Sequence, residues 1–455
     1  MHSRLIDVQE FLDNHRFSGF QWAILFLCFC VVAVDGLDTA AMGFIAPSLV
    51  SEWGVTKAAL APVMSAALFG LAVGALTAGP LADRYGRKRV IVISVIIFGL
   101  ASLFSSTAWS LWSLTMFRFL TGLGLGAAMP NAVTLMSEYA PRKRRALLSN
   151  LMFAGFSLGS ASSGFVASKI IPTFGWRSLL VVGGVLPLII GTVLIVVLPE
   201  SIRFLVCRNA PPARVARILR RISSTADLSN AYFTVPEAAL GSSGSSIKSL
   251  FRYDNGTGTI LLWVTYFMGL VVVYMLTGWL PTLMKDAGIS MAQAAVVTGM
   301  FQFGSMFGSV LMGWLMDRLS HHLVMSVSYT IASIMVMLIA MHPGEVGTLR
   351  VLVFGAGFAM GAQVSMVILA AHFYQTQYRA TGVSWMLGIG RFGGILGASM
   401  GGVLMTMGWD FRTIFFGLAI PAALAAAAVG TKGLYYARRR NPVQLGSPAL
   451  DIDVH

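Results

Sequence analysis

The feature that most constrains this chain is a series of twelve apolar runs, each long enough to cross a lipid bilayer as a helix. Hydrophobic residues make up 56% of the chain and charged residues only 11%, unlike a soluble globular domain. The sequence therefore predicts an all-α membrane protein with twelve transmembrane helices. The runs lie at residues 22–49, 58–82, 90–107, 110–136, 146–170, 178–198, 259–284, 291–316, 323–341, 348–371, 380–406 and 411–436.

A polar segment separates the runs into two groups of six. It contains the basic stretch "RNAPPARVARILRR" and the Gly/Ser-rich stretch "GSSGSSIKS", which are typical of a surface helix followed by a linker. The predicted organisation is an N-terminal tail (1–21), a six-helix bundle (22–198), a central loop (199–258), a second six-helix bundle (259–436) and a C-terminal tail (437–455).

Lys and Arg residues are concentrated in alternate loops. "DRYGRKR", "PRKRR", the central segment, "DRLSHH" and "YARRR" fall on one side, whereas the other loops carry isolated charges such as Lys57, Lys285 and Arg350. The positive-inside rule then predicts that both termini are cytoplasmic. The formal charge of +14 belongs to this pattern, so we expect no nucleic-acid partner.

The ends and the cysteines add little. The N-terminal stretch carries both charge signs, and no small-residue cleavage site follows the first apolar run, so we do not expect a removable signal peptide. The three cysteines have no disulfide or metal-site spacing, and we expect no metal.

The two halves repeat one another at an offset of 234 residues. "GPLADR" at 79–84 aligns with "GWLMDR" at 313–318, and the pair Arg145 and Ala146 aligns with Arg379 and Ala380. Parallel six-helix repeats are typical of transporters in which the substrate site lies between the halves near the membrane midplane. Such halves rock around that site by alternating access.

Four charged residues lie deep inside the predicted spans: Asp35, Asp38, Arg118 and Arg391. At 1.5 Å per residue, Asp35 is about 20 Å and Arg391 roughly 17 Å from the cytoplasmic start of their helices. A charge at mid-bilayer costs about 2.5–3.5 kcal/mol, so the four must face a cavity or one another. They are either ion pairs that hold helices together or a functional site.

A loop signature lies between the second and third spans. In "GPLADRYGRKR", we single out Gly79, Asp83, Arg84, Gly86 and Arg87 as a conformational latch, the alternative being a topology anchor on the cytoplasmic side. The second half keeps Asp317 and Arg318 in "DRLSHH" but lacks the later Gly-Arg-Lys portion. The stretch "GPLADRYGRKR" closely resembles the loop signature of the major facilitator superfamily.

Three further stretches resemble the aromatic acid:proton symporter branch of that superfamily. They are "DGLDTA" at 35–40, "RFLTGLGLGAAMPNA" at 118–132 and "YRATGVSWMLGIGRFGGILG" at 378–397. The resemblance implies uptake of an aromatic carboxylate with protons across the bacterial inner membrane, most readily a hydroxylated benzoate such as 4-hydroxybenzoate, protocatechuate or gallate. It also implies no cofactor, the proton gradient as driving force, and a monomeric functional unit in the lipid bilayer.

We expect a division of labour among the buried charges. Asp35 and Asp38 share a helical face, and two adjacent buried carboxylates can bind a proton near neutral pH, so they are the candidates for proton coupling. Arg118 and Arg391 supply positive potential, and the planar guanidinium of one of them pairs with the substrate carboxylate.

Other residues are candidates for ring contacts or gating. Five could contact the substrate through hydrogen bonds or aromatic packing, although any single aromatic is as readily explained by helix packing: Asn150, Gln302, Gln363, Trp385 and Tyr266. Three lie at cytoplasmic helix ends and are candidates for gating, the alternatives being a salt-bridge partner, a solvated histidine and an anchor: Glu138, His372 and Arg379.

Two other functions stay open. One is a related transporter of a phenylpropanoid acid, muconate or another dicarboxylate, or a sugar. The other is a membrane chemoreceptor or sensor for aromatic acids. The sequence shows no nucleophile and base pair, metal cluster or nucleotide motif, so we do not expect an enzyme.

Overall fold

The computed structural model is built almost entirely from helices. It describes residues 4–223, 226, 228, 231–235, 250–251, 255–316, 318–374 and 379–440, with the backbone alone at 4, 146, 150, 379, 380 and 437–440. The α-helices are α1 (Val8–Asn14), α2 (Gly19–Trp53), α3 (Ala61–Tyr85), α4 (Arg87–Ser105), α5 (Leu111–Tyr139), α6 (Arg145–Phe174), α7 (Arg177–Val197), α8 (Ile202–Cys207), α9 (Pro212–Arg220), α10 (Asn255–Asp286), α11 (Met291–Met316), α12 (His321–Met341), α13 (Val346–Met360), α14 (Ala362–Phe373), α15 (Arg379–Thr406) and α16 (Phe411–Arg440).

Twelve spans among the described residues are long and apolar enough to cross a membrane, which confirms the predicted fold class. They are α2 to α7, α10 to α12, the pair α13 and α14, α15 and α16. The tenth span is interrupted at Gly361, where α13 ends and α14 begins. We call the side that carries α1, α8 and α9 the terminal face, and the other side the opposite face.

The helix ends follow from local sequence. Ser18 and Gln21 form a capping box that begins α2, and Ser110 with Ser113 does the same for α5. Helix α2 ends at Gly54, whose φ of 62° is left-handed and therefore favours glycine.

The internal repeat is visible in the structure. Helices α4 and α12, α6 and α15, and α7 and α16 begin 234 residues apart. Gly70 of α3 packs against the carbonyl oxygen of Phe119 in α5, and Gly304 of α11 packs in the same way against Phe354 in α13. A side chain at either glycine would collide with the backbone of the neighbouring helix, so the two halves use the same close contact.

A small layer on the terminal face was not expected from the sequence. Strand β1 (Arg4–Asp7) pairs in parallel with β2 (Ala231–Thr234), which joins the N-terminal tail to the central segment. Helix α1 then contacts the loop after α5, where Asp13 accepts a hydrogen bond from the backbone nitrogen of Arg142 at 2.7 Å. The predicted surface helix of the central segment corresponds to α9, and most of its Gly/Ser-rich part lies outside the described residues.

Candidate functional site

Asp38 and Arg118 form a buried ion pair. Arg118 Nη1 donates to Asp38 Oδ1 at 2.8 Å and Nη2 donates to Oδ2 at 2.7 Å, and each side chain is 1% exposed. Ser102 adds a third hydrogen bond to Asp38 Oδ1 at 3.2 Å. This bidentate geometry is the strongest that arginine and a carboxylate make, and it joins α2 to α5 at the centre of the first half. In this state, Arg118 is engaged by the protein itself.

Asp35 lies one turn earlier in α2 and is equally buried, but its surroundings differ. Its Oδ1 accepts a hydrogen bond from Thr39 at 3.3 Å, whereas Oδ2 has no partner among the described residues. A buried carboxylate oxygen without a donor is costly when charged, and protonation relieves that cost. Asp35 therefore has the environment of a group that binds a proton.

Arg391 of α15 lies on the other side of the interface between the halves. It is partly buried, and its Nη1 donates to the carbonyl oxygen of Leu71 in α3 at 2.8 Å. Asp35, Tyr266 and Tyr274 lie within electrostatic range of it. No carboxylate contacts Arg391 at salt-bridge distance within the described part of the chain. Its planar fork is therefore available to an anion in a way that the fork of Arg118 is not.

A cavity of about 30 Å³ lies between the halves beside these charges. Its wall includes Thr39 of α2, Leu71 of α3, Arg118 of α5, and Tyr274 and Thr277 of α10. Sites for small organic ligands usually measure about 300–1,000 Å³, so the halves must separate before an aromatic acid fits. The structure thus shows the centre of the interface closed around the charged residues.

The two glutamines predicted to contact the substrate, Gln302 and Gln363, have different surroundings. Gln302 is buried and donates to Thr277 Oγ1 at 2.9 Å, next to the cavity. Gln363 accepts a hydrogen bond from Tyr329 and donates to the carbonyl oxygen of Tyr266 at 3.1 Å. Tyr329 and Gln363 fill the space that a side chain at Gly269 would need, and Gly269 is the repeat counterpart of Asp35. The second half therefore has a neutral hydrogen-bonded pair where the first has a carboxylate.

One predicted substrate contact, Trp385, lies away from this cluster. Trp385 is 43% exposed and stacks on Trp263, with the ring centroids 6.2 Å apart. It lies six residues before Arg391, or about 9 Å nearer the terminal face along α15. The side chain of Asn150 lies outside the described residues.

The loop signature forms a network on the terminal face. Arg87 donates to Asp83 at 2.6 Å, and its Nε lies 3.7 Å from Glu138. Glu138 also accepts a hydrogen bond from Ser201. The backbone nitrogen of Lys88 donates to Glu200 Oε1 at 3.1 Å, and a side chain at Gly86, whose φ is 96°, would meet that carboxylate.

The other signature residues stay at the surface. Arg84 lies over the ring of Tyr85, with 5.3 Å from its Cζ to the ring centroid, and a side chain added at Gly79 would meet nothing within 4 Å. The structure brings Glu138 together with Asp83, Gly86 and Arg87. In the sequence, Glu138 is a gating candidate at a helix end, whereas the other three belong to the loop signature.

The counterparts in the second half are arranged differently. Arg318 lies over the ring of Trp314 at 4.2 Å, and the ring of His372 lies 4.7 Å from that of His321. Asp317 lies outside the described residues, and Arg379 is described only as the first backbone position of α15.

Three contacts tie the halves together on the opposite face. Lys57, in the loop after α2, forms a salt bridge with Asp286 at the end of α10. The backbone nitrogen of Ala58 donates to Thr406 at 3.1 Å, and Lys285 donates to the carbonyl oxygen of Pro47 at 3.3 Å. Within the described ranges, the hydrogen bonds between the halves are these and the one from Arg391 to Leu71. The opposite face is therefore closed in this state.

Sequence reasoning missed several of these residues. Ser102 is one of many serines in apolar helices, and nothing in its pattern marks it. Glu200 had a signal, because it lies in "PESIRFL" directly after the sixth span, a stretch that also resembles sequences of the superfamily. The pairing of Lys57 with Asp286 had none, since it depends on how the two bundles meet.

The fold and the site together define a secondary transporter with two six-helix bundles and a charged centre between them. Residues 27–243 and 262–449 match the family model of the Major Facilitator Superfamily. The chain is 52% identical to the 4-hydroxybenzoate transporter PcaK of Pseudomonas aeruginosa, covering 94% of this chain and 96% of that protein. It is 44% identical to the gallate transporter of Pseudomonas putida, covering 97% and 98%.

Among solved structures, the inward open xylose transporter XylE from E. coli has a TM-score of 0.72 at 16% identity, over 90% of this chain and 95% of that one. This likeness supports the fold alone. The chain belongs to the Major Facilitator Superfamily and, within it, to the aromatic acid:proton symporter family that its motifs resemble. It is a multi-pass membrane transporter rather than an enzyme, and its family uses ion gradients rather than cofactors.

Proposed function

We propose that this protein takes up a hydroxylated benzoate together with one or more protons. The bacterial relatives named for 4-hydroxybenzoate and gallate support the substrate class and an inner-membrane location. The basic loops support an orientation with both termini in the cytoplasm, which makes the terminal face cytoplasmic and the opposite face periplasmic. The functional unit is one chain, because a single chain carries all four buried charges.

One observation carries the mechanism: buried Arg118 is held by Asp38, whereas the hydrogen bond of partly buried Arg391 among the described residues goes to a backbone carbonyl oxygen. We assign Arg391 as the partner of the substrate carboxylate. A guanidinium that leaves a neutral carbonyl for a carboxylate gains a charge-assisted bidentate contact.

Asp35 is the proton carrier in this proposal. While it is charged, it competes with the substrate anion for the positive potential of Arg391, and protonation removes that competition. Proton and substrate therefore bind in concert. The pair of Asp38 and Arg118 positions α2, which carries Asp35, against α5.

Substrate binding also requires movement. Arg391 donates a hydrogen bond to Leu71 across the interface. When Arg391 binds the substrate carboxylate instead, one contact between the halves is lost. The salt bridge of Lys57 with Asp286 closes the periplasmic face, while the basic network of Arg87, Asp83 and Glu138 lies on the cytoplasmic face. Alternating access exchanges one closed face for the other.

Uptake by the purified protein in liposomes tests this proposal. Labelled 4-hydroxybenzoate should accumulate when the outside is made acidic, a dye trapped inside should report proton entry, and a protonophore should abolish accumulation. Accumulation that is unchanged in the presence of the protonophore would exclude proton symport. Failure of benzoate, 4-hydroxybenzoate, protocatechuate and gallate to enter or compete would exclude the substrate class.

A further inference from the structure

A second, larger cleft lies away from the substrate site, on the terminal face of the second half. It measures about 940 Å³ and lies among α10, α12, α14 and α16. Its wall carries four basic side chains: His321, His322, His372 and Lys432. The described residues that line it include no Asp or Glu, so an anion that enters the cleft meets no carboxylate among them.

Lys432 is the most unusual member of this group. It is 1% exposed, and its Nζ lies 2.9 Å from Nε2 of His322 and 4.1 Å from the ring centroid of Phe373. Within the described part of the chain it forms no salt bridge. Lysine is almost never fully buried unless it is paired, and the described residues place His322, rather than a carboxylate, next to this amine.

The first half shows what normally fills this position. Helix α4 begins with the basic residues Arg87 and Lys88, and three carboxylates lie beside them. Asp83 accepts a hydrogen bond from Arg87 at 2.6 Å. Glu138 lies 3.7 Å from Arg87, and Glu200 accepts a hydrogen bond from the backbone nitrogen of Lys88 at the start of α4. The N-terminus of a helix favours a negative charge, and Glu200 supplies it.

At the repeat offset of 234 residues, the second half replaces Glu138 and Glu200, while Asp317, the counterpart of Asp83, lies outside the described residues. His321 and His322 begin α12 at the positions of Arg87 and Lys88, and His372 replaces Glu138. Leu434 replaces Glu200. Helix α7 ends at Val197, which lets the following turn place Glu200 over α4, whereas α16 continues to Arg440 and leaves the corresponding space open.

The start of α12 adds to the attraction for anions. Ser320 caps the helix by accepting a hydrogen bond from the backbone nitrogen of Leu323 at 3.3 Å, but it brings no negative charge. Leu323 and Leu434 line the cleft and are 54% and 64% exposed, so its rim is apolar where the helices meet their surroundings. A basic cleft with an apolar rim at a membrane surface fits an anionic headgroup whose acyl chains lie outside.

We propose that this cleft binds a phosphate group, held by Lys432, His322 and His372 at the place that the Glu200 carboxylate occupies in the first half. The phosphate belongs to an acidic phospholipid such as phosphatidylglycerol or to inorganic phosphate, which share the same chemistry. The site is independent of the substrate site and of the proposed substrate.

Binding to the purified full-length protein tests the proposal. Native mass spectrometry would compare retention of phosphatidylglycerol with that of phosphatidylcholine carrying the same acyl chains, and thermal unfolding would follow the effect of inorganic phosphate. Two variants should weaken binding at least about tenfold, as expected for loss of a charge-assisted contact: Lys432→Leu, which installs the residue found at Leu198 in the first half, and Leu434→Glu, which supplies a tethered carboxylate. Arg217→Leu in α9 removes a positive charge from the same face and should bind as the wild type does.

Each result has a defined meaning. Preferential retention of phosphatidylglycerol that is lost in Leu434→Glu supports a lipid headgroup, and a phosphate-dependent rise in unfolding temperature that is lost in the same variant supports free phosphate. Leu434 is exposed, so Leu434→Glu should fold even if Lys432→Leu does not. Equal retention of both lipids together with no effect of phosphate overturns the proposal, as does equal binding by the wild type and a folded Leu434→Glu variant.

Discussion

Arg118 binds Asp38 through two hydrogen bonds of 2.7 and 2.8 Å, with both side chains shielded from solvent. Asp35, three residues earlier on the same helix, has one oxygen without a partner among the described residues. Two carboxylates that look alike in the sequence therefore have different surroundings: Asp38 is paired with an arginine, and Asp35 is not paired with one among the described residues. This difference gives each of the buried charges a separate role that mutation can test.

Replacing Asp35 with asparagine should uncouple the proton. The asparagine keeps the size of the side chain but cannot change charge, so accumulation driven by a pH gradient should be lost while substrate exchange across the membrane continues. Uptake and counterflow in liposomes measure the two activities, and Asp410→Asn, at an exposed site on the opposite face, is the matched control. A variant that still concentrates substrate and carries protons inward would remove Asp35 from the coupling mechanism.

The pair of Asp38 and Arg118 should behave as a unit. Removal of one partner leaves an unpaired buried charge, so Asp38→Asn and Arg118→Gln should each cost about 3–5 kcal/mol of stability. The double variant should be more stable than either single variant, because no charge then remains buried. A double-mutant cycle from thermal unfolding measures the coupling, and additive losses would show that the two residues act separately.

Arg391 should determine affinity for the substrate carboxylate. Arg391→Gln should weaken binding of 4-hydroxybenzoate by about 10- to 150-fold, as expected for loss of a hydrogen bond to a charged group. Arg391→Lys should recover only part of it, since an ammonium group cannot bind two oxygens in one plane. Arg350→Gln, at an exposed position in α13, is the control.

A neutral analogue separates recognition of the carboxylate from general damage. If Arg391 contacts the carboxylate, weak binding of 4-hydroxybenzamide should be similar in the wild type and in Arg391→Gln. An equal loss for the acid and the amide would mean that Arg391 shapes the site without contacting the carboxylate.

Sequence reasoning reached the spans and the buried charges but not the partners of those charges. Run length predicts helices such as α2 because the bilayer fixes how many apolar residues are needed. The three-residue spacing places Asp35 and Asp38 on one face, yet it does not say which of them reaches Arg118 on α5, because that depends on how the helices pack. Strands β1 and β2 were not predicted for a similar reason, because each has only four residues and they pair across more than 200 positions of the sequence.

The contact of Lys57 with Asp286 should hold the opposite face closed. Both side chains are partly exposed, so the pair is worth about 0.2–1 kcal/mol and its loss should raise the open population by about 1.4- to fivefold. Lys57→Asp should raise the population in which the opposite face is open. The exchanged pair Lys57→Asp with Asp286→Lys should close that face again. The measurement is labelling of Met64→Cys beside the cavity by a membrane-impermeant thiol reagent, after Cys28, Cys30 and Cys207 are replaced by Ser. Equal labelling of the single and exchanged variants would show that this salt bridge does not control the face.

Gly36, between the two aspartates, should tolerate no side chain. A Cβ there would collide with the backbone carbonyl of Phe156, so Gly36→Ala must push α2 away from α6 and move Asp35 and Asp38 from their positions. We expect it to fold poorly or to lose uptake. Gly347→Ala is the matched control, because a Cβ at that helical glycine of α13 meets nothing within 4 Å and alanine favours the helix by up to about 1 kcal/mol. Thermal unfolding and uptake should therefore separate the two variants, and similar behaviour of both would show that the close approach of α2 and α6 is not needed to hold the aspartates.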